Sequence, residues 1–175
     1  MRSPDRKLDY LFFIGYVALV YGMLSITPMI TKPVERGYPS LFGIFGNIAV
    51  VLFILLALAV FKHRLKGKSP ATLAGIAAIL LIYAFLLIYE TPIAVEKLHL
   101  IEYGFMTYLA LRVVRNVRPT DLKYLIVILT VTLIGIGDEL MQEVIPIRVC
   151  DVRDMLMNSL AGLLALVLLI LLDER

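Results

Sequence analysis

The stretch GDELMQEVIPIRVCDVRDMLMNSLAG, Gly137–Gly162, sets Asp138, Glu139, Gln142, Glu143, Arg148, Asp151, Arg153, Asp154 and Asn158 between two long apolar runs. Polar groups are costly in a hydrocarbon layer, so a cluster this dense needs water, partners or a function. Outward from it the chain is strongly apolar: 61% of its 175 residues are hydrophobic and only 18% are charged. That composition excludes an ordinary soluble domain and predicts an all-α, polytopic transmembrane helix bundle. The length suits a single transmembrane domain, residues 1–175, with no second folded unit. The formal charge of +3 is spread over short loops between apolar runs. It reads as a determinant of membrane orientation, and no nucleic-acid partner is expected. Cys150 is the only cysteine, which excludes an internal disulfide and a cysteine-based metal site.

Six apolar runs follow one another. The first, Tyr10–Ile26, comes after Arg2, Arg6 and Lys7 and resembles a secretory signal. Ser25-Ile26-Thr27-Pro28 lacks the small residues of a cleavage site, so a retained helix is expected. Pro28 and Pro33 should end it, because proline lacks a donor and clashes with the preceding turn. Leu41–Phe61 and Ala71–Tyr89 each have about the ~20 residues that a helix needs to cross a bilayer. Ile93–Val114 carries Glu96, Lys97, His99, Glu102 and Tyr103 in its first half, so its polar stripe must face other helices or a water-filled cavity. Leu122–Ile136 is short unless it continues through Asp138–Glu143 towards Pro146, and Met155–Leu172 closes the bundle.

With both termini in the cytoplasm, six spans put twelve of the 17 Lys and Arg residues on the inner side, as the positive-inside rule asks. The polar half of the fourth helix, the end of the fifth and the start of the sixth then share the outer side. An outward-facing polar pocket is therefore expected.

Each constellation also has a plainer explanation. His99, Glu102 and Tyr103 stand at i, i+3 and i+4, close to one helical face. An imidazole beside a carboxylate can relay protons, or simply hydrogen-bond to a neighbouring helix. Asp138 and Glu139 can supply an acid and a base near low dielectric, or contact water at a loop. Gln142 is one turn further on. Arg148 can hold an anion or pair internally with Glu139. Asp151 suits a helix N-cap, and Asp154 suits the first turn of a helix, where the macrodipole favours a carboxylate. Asn158 shares a side with Ala161, Gly162 and Ala165, where it can bond across a close helix contact. Glu143 and Arg153 read as surface residues. His99 is the only histidine in the cluster, so neither a metal nor another cofactor is expected.

Together these residues resemble a known family. Asp138-Glu139-x-x-Gln142, then Pro146-x-Arg148, then Asp154-x-x-x-Asn158-x-x-x-Gly162 looks like the signature of VanZ-like membrane proteins. Glu96-Lys97-Leu98-His99-x-x-Glu102-Tyr103-Gly104 resembles that family's upstream histidine motif, and Leu24-Ser25-x-x-Pro28 the end of its first helix. The resemblance covers a core at about 93–172, and the runs at 41–61 and 71–89 depart from the family pattern. It implies a cell-membrane protein of a bacterium or archaeon, linked to the cell envelope and to resistance to the glycopeptide teicoplanin. It implies no mechanism.

The expected function is therefore binding or modification of an anionic envelope component, lipid-linked or phosphate-bearing, on the extracytoplasmic side. His99, Glu102, Asp138 and Glu139 are the expected catalytic residues, and Tyr103, Gln142, Arg148, Asp154 and Asn158 the expected substrate contacts. Membrane lipid, a lipid-linked envelope precursor or a glycopeptide are the partners to consider. A non-catalytic binding or transport protein and a purely structural membrane component are the alternatives.

Overall fold

The computed structural model describes residues 6–38, 62–87, 94–145 and 150–173, together with 44, 47, 48, 51, 52, 55, 56 and 59. The regular elements are helices: α1 (Arg6–Gly37), α2 (Pro70–Phe85), α3 (Ala94–Val113), α4 (Thr120–Val144) and α5 (Val152–Asp173). No strand occurs among the described residues. Three of the helices, α1, α4 and α5, are long and apolar enough to cross a membrane. Much of the second apolar run, 41–61, lies outside the described residues, and those described within it are helical.

One boundary differs from expectation. α1 does not stop at the prolines; it runs through both Pro28 and Pro33. Each proline removes one backbone donor, whereas unwinding the chain in an apolar layer would strip several carbonyls of partners, so the helix continues. α2 has 16 residues and runs on into a π-helical turn at 86–87, and the rest of the run Ala71–Tyr89 lies outside the described residues. Its start follows local rules: Pro70 occupies the first turn, and the Ser69 hydroxyl accepts from the Thr72 N–H at 3.1 Å. α4 takes the longer of its two expected forms and carries Asp138, Glu139 and Gln142 on its last turns.

A helix with a charged first half occupies the centre. α3 packs against α1, α4 and α5, which cover its middle, while Glu102 and Arg112 stay partly exposed and α2 lies on α5. Tyr103, Met106, Val127, Val131 and Ala161 form the fully buried heart of the bundle. Leu11, Phe12, Ile14 and Leu19 of α1, and Leu125, Leu129 and Leu133 of α4, are exposed, as lipid-facing side chains should be.

Tyrosine hydroxyls tie the helices across this apolar interior. Tyr16 donates to the Glu102 carbonyl at 3.3 Å, Tyr21 to the Ile134 carbonyl at 2.9 Å and Tyr83 to the Ala161 carbonyl at 2.6 Å. Small residues set the spacing. A Cβ on Gly162 would stand 2.7 Å from Val131 Cγ1 and 3.3 Å from Thr107 Oγ1. Val131 is β-branched and has little rotamer freedom with which to retreat. Gly162→Leu is expected to destabilise the bundle by about 1–3 kcal/mol through overpacking. Thermal unfolding in detergent would show this, and an unchanged midpoint would mean that α4 and α5 are not so closely apposed.

Candidate functional site

Three helix ends meet on one side of the bundle: the first half of α3, the last turns of α4 and the first turns of α5. His99 is the pivot. Its Nδ1 lies 3.3 Å from Glu102 Oε2, one turn along α3, and 4.0 Å from Asp138 Oδ2 on α4. The Tyr103 hydroxyl donates to that same Oδ2 at 3.0 Å. Asp138 and Tyr103 are fully buried, whereas the Glu102 side chain is 36% exposed, so the group reaches the protein surface at Glu102.

Asp138 and Glu139 are neighbours in sequence, but they serve different sides. Consecutive helical residues are separated by about 100° around the axis, so Asp138 meets α3 while Glu139 turns towards the start of α5. Glu139 Oε1 accepts from Gln142 Nε2 at 2.8 Å, and Oε2 accepts from the Asp151 backbone N–H at 3.2 Å. Both acids are fully buried, so the image of a solvated acidic loop does not describe them. Asp154 is half-buried and close enough to act on Glu139 electrostatically.

Asn158 lies deeper and is 2% exposed; its Nδ2 has no hydrogen-bond partner among the described residues. Gly135 gives it room, since a Cβ there would be 3.1 Å from Asn158 Cβ and 3.2 Å from the Tyr103 ring. Below it the Thr107 hydroxyl lies 2.9 Å from the Tyr103 carbonyl and 3.3 Å from the Gly162 carbonyl.

The fold thus brings together His99, Glu102, Tyr103 and Asp138, and beside them Glu139 and Gln142. Asp154 and Asn158 stand on the facing helix. Arg148 lies outside the described residues. The structural explanations hold at the edges: Glu143 and Arg153 are exposed, and Asp151 Oδ1 accepts from the Arg153 N–H at 2.8 Å as a helix cap does.

Cys150 sits half-buried beside this acidic group. Loss of water pushes its thiol above the ordinary value, and the charges of Glu143, Glu139 and Asp151 push it the same way. Because the thiolate is the nucleophile, fewer molecules react at neutral pH. Alkylation by iodoacetamide is therefore expected to rise with a midpoint above ~8.5, the value of a free cysteine, and Glu143→Gln should bring that midpoint down. A midpoint below that of a model thiol would contradict this environment.

One buried ionic cluster was not anticipated. Asp9 of α1, 3% exposed, takes Arg112 Nη2 at 2.7 Å on Oδ1 and Arg115 Nη2 at 3.0 Å on Oδ2. It lies at the opposite end of α3 from His99 and fixes α1 antiparallel to α3. The signal was a lone carboxylate at the margin of a long apolar helix, which a membrane protein retains only with a partner.

The sequence model of the VanZ/LLP1 family matches residues 85–173. The chain belongs to the VanZ/LLP1 family. The match runs from the end of α2 to the end of α5, so it contains every residue of the His99–Asp138 and Glu139–Gln142 groups. No match was found among curated proteins or among solved structures. Family and apolar helices agree on a membrane protein, and the VanZ/LLP1 segment is the part that carries the polar cluster.

Proposed function

We propose that this VanZ/LLP1 protein binds and chemically modifies an anionic envelope component, lipid-linked or phosphate-bearing, at an outward-facing polar pocket. The observation that carries the proposal is the placing of the His99 imidazole within 3.3 Å of one carboxylate and 4.0 Å of a second, fully buried one. An imidazole nitrogen that faces two acids can take a proton from one and give it to the other, and low dielectric strengthens each of these contacts. Glu139 or Asp138 acts as general base, and His99 with Glu102 relays the proton outward. Arg148 holds the anion, while Tyr103, Gln142, Asp154 and Asn158 orient the reacting groups. The buried Asn158 Nδ2, without a hydrogen-bond partner among the described residues, supports a role in contacting ligand.

The proposed setting is one transmembrane domain of six spans in a bacterial or archaeal cell membrane. Both termini are cytoplasmic, the core lies at about 93–172, and the cluster faces the extracytoplasmic side. Basic residues gathered at the end of α3 opposite His99 support that orientation. Resistance to teicoplanin is the proposed phenotype.

The test is to reconstitute the full chain in vesicles with a polyprenyl phosphate and to follow both binding and product by mass spectrometry. Product formed by the wild type and not by His99→Ala supports the catalytic proposal. Saturable binding without product makes the chain a binding or transport protein. Neither product nor binding, with His99→Ala, Asp138→Asn and Asn158→Ala all losing stability, leaves a structural membrane component.

A further inference from the structure

Away from the polar cluster, α1 and α3 enclose an open groove of about 260 Å³ whose walls include Leu11, Phe12, Gly15 and Tyr16 of α1 and Phe105 and Leu109 of α3. We propose that this groove holds one acyl chain of an anionic phospholipid whose phosphate lies against Arg112. The site is independent of the envelope chemistry proposed above and lies towards the other end of α3, between it and α1.

Three observations converge on that occupant. The first is continuity from hydrocarbon to charge. The Tyr16 ring meets Phe105 edge-on at 5.1 Å, Phe105 stacks on Tyr108 at 6.0 Å, and the Arg112 guanidinium lies 5.9 Å above the Tyr108 ring. An aromatic row thus runs from the groove floor to a cation, as a molecule with an apolar tail and an anionic head requires.

The second is charge complementarity. A guanidinium carries five N–H donors in a planar fork suited to phosphate. Arg112 gives Nη2 to Asp9 while 39% of its side chain stays exposed. Arg115, Arg118 and Lys123 follow it in the chain, and Arg6 and Lys7 precede its partner Asp9, against the acids Asp9 and Asp121. A basic group of this kind beside a spanning helix attracts anionic headgroups.

The third is Gly15. Glycine within a helix costs about 1 kcal/mol relative to alanine, so its presence there needs a reason. A Cβ at Gly15 would meet nothing within 4 Å, in contrast to the crowded Gly162. Gly15 is a wall of the groove and keeps it open. A side chain added there enters the space claimed for the lipid, without disturbing the helix contacts.

The experiment places the full chain in nanodiscs of equal phosphatidylglycerol and phosphatidylcholine and counts retained lipids by native mass spectrometry after transfer to detergent. The wild type is expected to retain phosphatidylglycerol in preference. Gly15→Leu, with helicity and melting temperature kept, should lower that retention about tenfold, roughly what two displaced methylene groups are worth. Arg112→Gln should reduce the preference for phosphatidylglycerol about fivefold. If Arg112→Gln does not fold, Gly15→Leu decides alone. Equal retention of the two lipids by the wild type, or unchanged retention by Gly15→Leu, overturns the proposal. So does a lipid-free wild-type dimer that Gly15→Leu turns into a monomer, because the groove would then seat a second copy of the chain.

Discussion

Replacing Arg112 and Arg115 together with alanine is expected to destabilise the chain by about 3–5 kcal/mol, the usual consequence of stripping a buried charge of its partners. Asp9 is 3% exposed and sits between the two guanidinium groups at 2.7 and 3.0 Å. The arginines themselves are partly exposed and can reach water along their long stems, so the cost falls mainly on the carboxylate they leave behind. Asp9→Asn introduced on the same background should recover much of the loss, since the neutral amide is cheaper to bury. Unfolding in detergent, measured for the wild type, the double variant and the triple variant, gives the cycle. A loss below about 1 kcal/mol with no rescue would reduce the cluster to a surface ion pair. The same cluster joins the first helix to the VanZ/LLP1 segment, so α1 is expected to come loose before the α3–α5 core unfolds.

Glu139→Gln is expected to lower the proposed activity by about 10²–10⁴-fold, the usual contribution of a general acid or base. The fold should survive. Glutamine has nearly the same shape, and its carbonyl oxygen can still accept from Gln142, as Oε1 does at 2.8 Å. The contact most exposed to the change is that from the Asp151 N–H at 3.2 Å, worth about 1 kcal/mol. Product formation in vesicles and teicoplanin tolerance of an expressing strain are the two readouts. A fully active Glu139→Gln variant removes the acid from the mechanism. An inactive variant that has also lost several degrees in melting temperature makes Glu139 a structural link between α4 and α5. His99→Gln serves as a companion, because it keeps a hydrogen-bonding side chain near Glu102 and Asp138 while losing the ability to titrate.

Much of the cluster was legible in the chain. Asp138, Glu139, Gln142 and Asn158 stand at helical spacing inside an apolar context, and all four are buried. The His99–Glu102 pair follows directly from an i, i+3 spacing. What spacing cannot say is which neighbour a buried polar group meets. The Tyr103 hydroxyl on Asp138 crosses 35 positions, and the Tyr21 hydroxyl on the Ile134 carbonyl crosses 113. Pro28 and Pro33 mislead for a related reason. Propensity marks them as stops, but the absence of water around an apolar helix makes stopping more expensive than continuing.

From its sequence alone the chain is determined to be helical, apolar and of the VanZ type, because hydrophobic run length, helical period and short motifs are local properties. The polar island at Gly137–Gly162 belongs to that local record too. The tertiary structure alone decided that Asp138 and Glu139, adjacent in the chain, part company: one joins His99 and Tyr103 on α3, the other caps the approach to α5. It alone placed Asp9 between two arginines more than a hundred residues away. The physical reason is the same in both cases. A helix sets the angle at which a side chain leaves its axis, but the charge, space and dielectric that side chain meets belong to whichever helices pack around it.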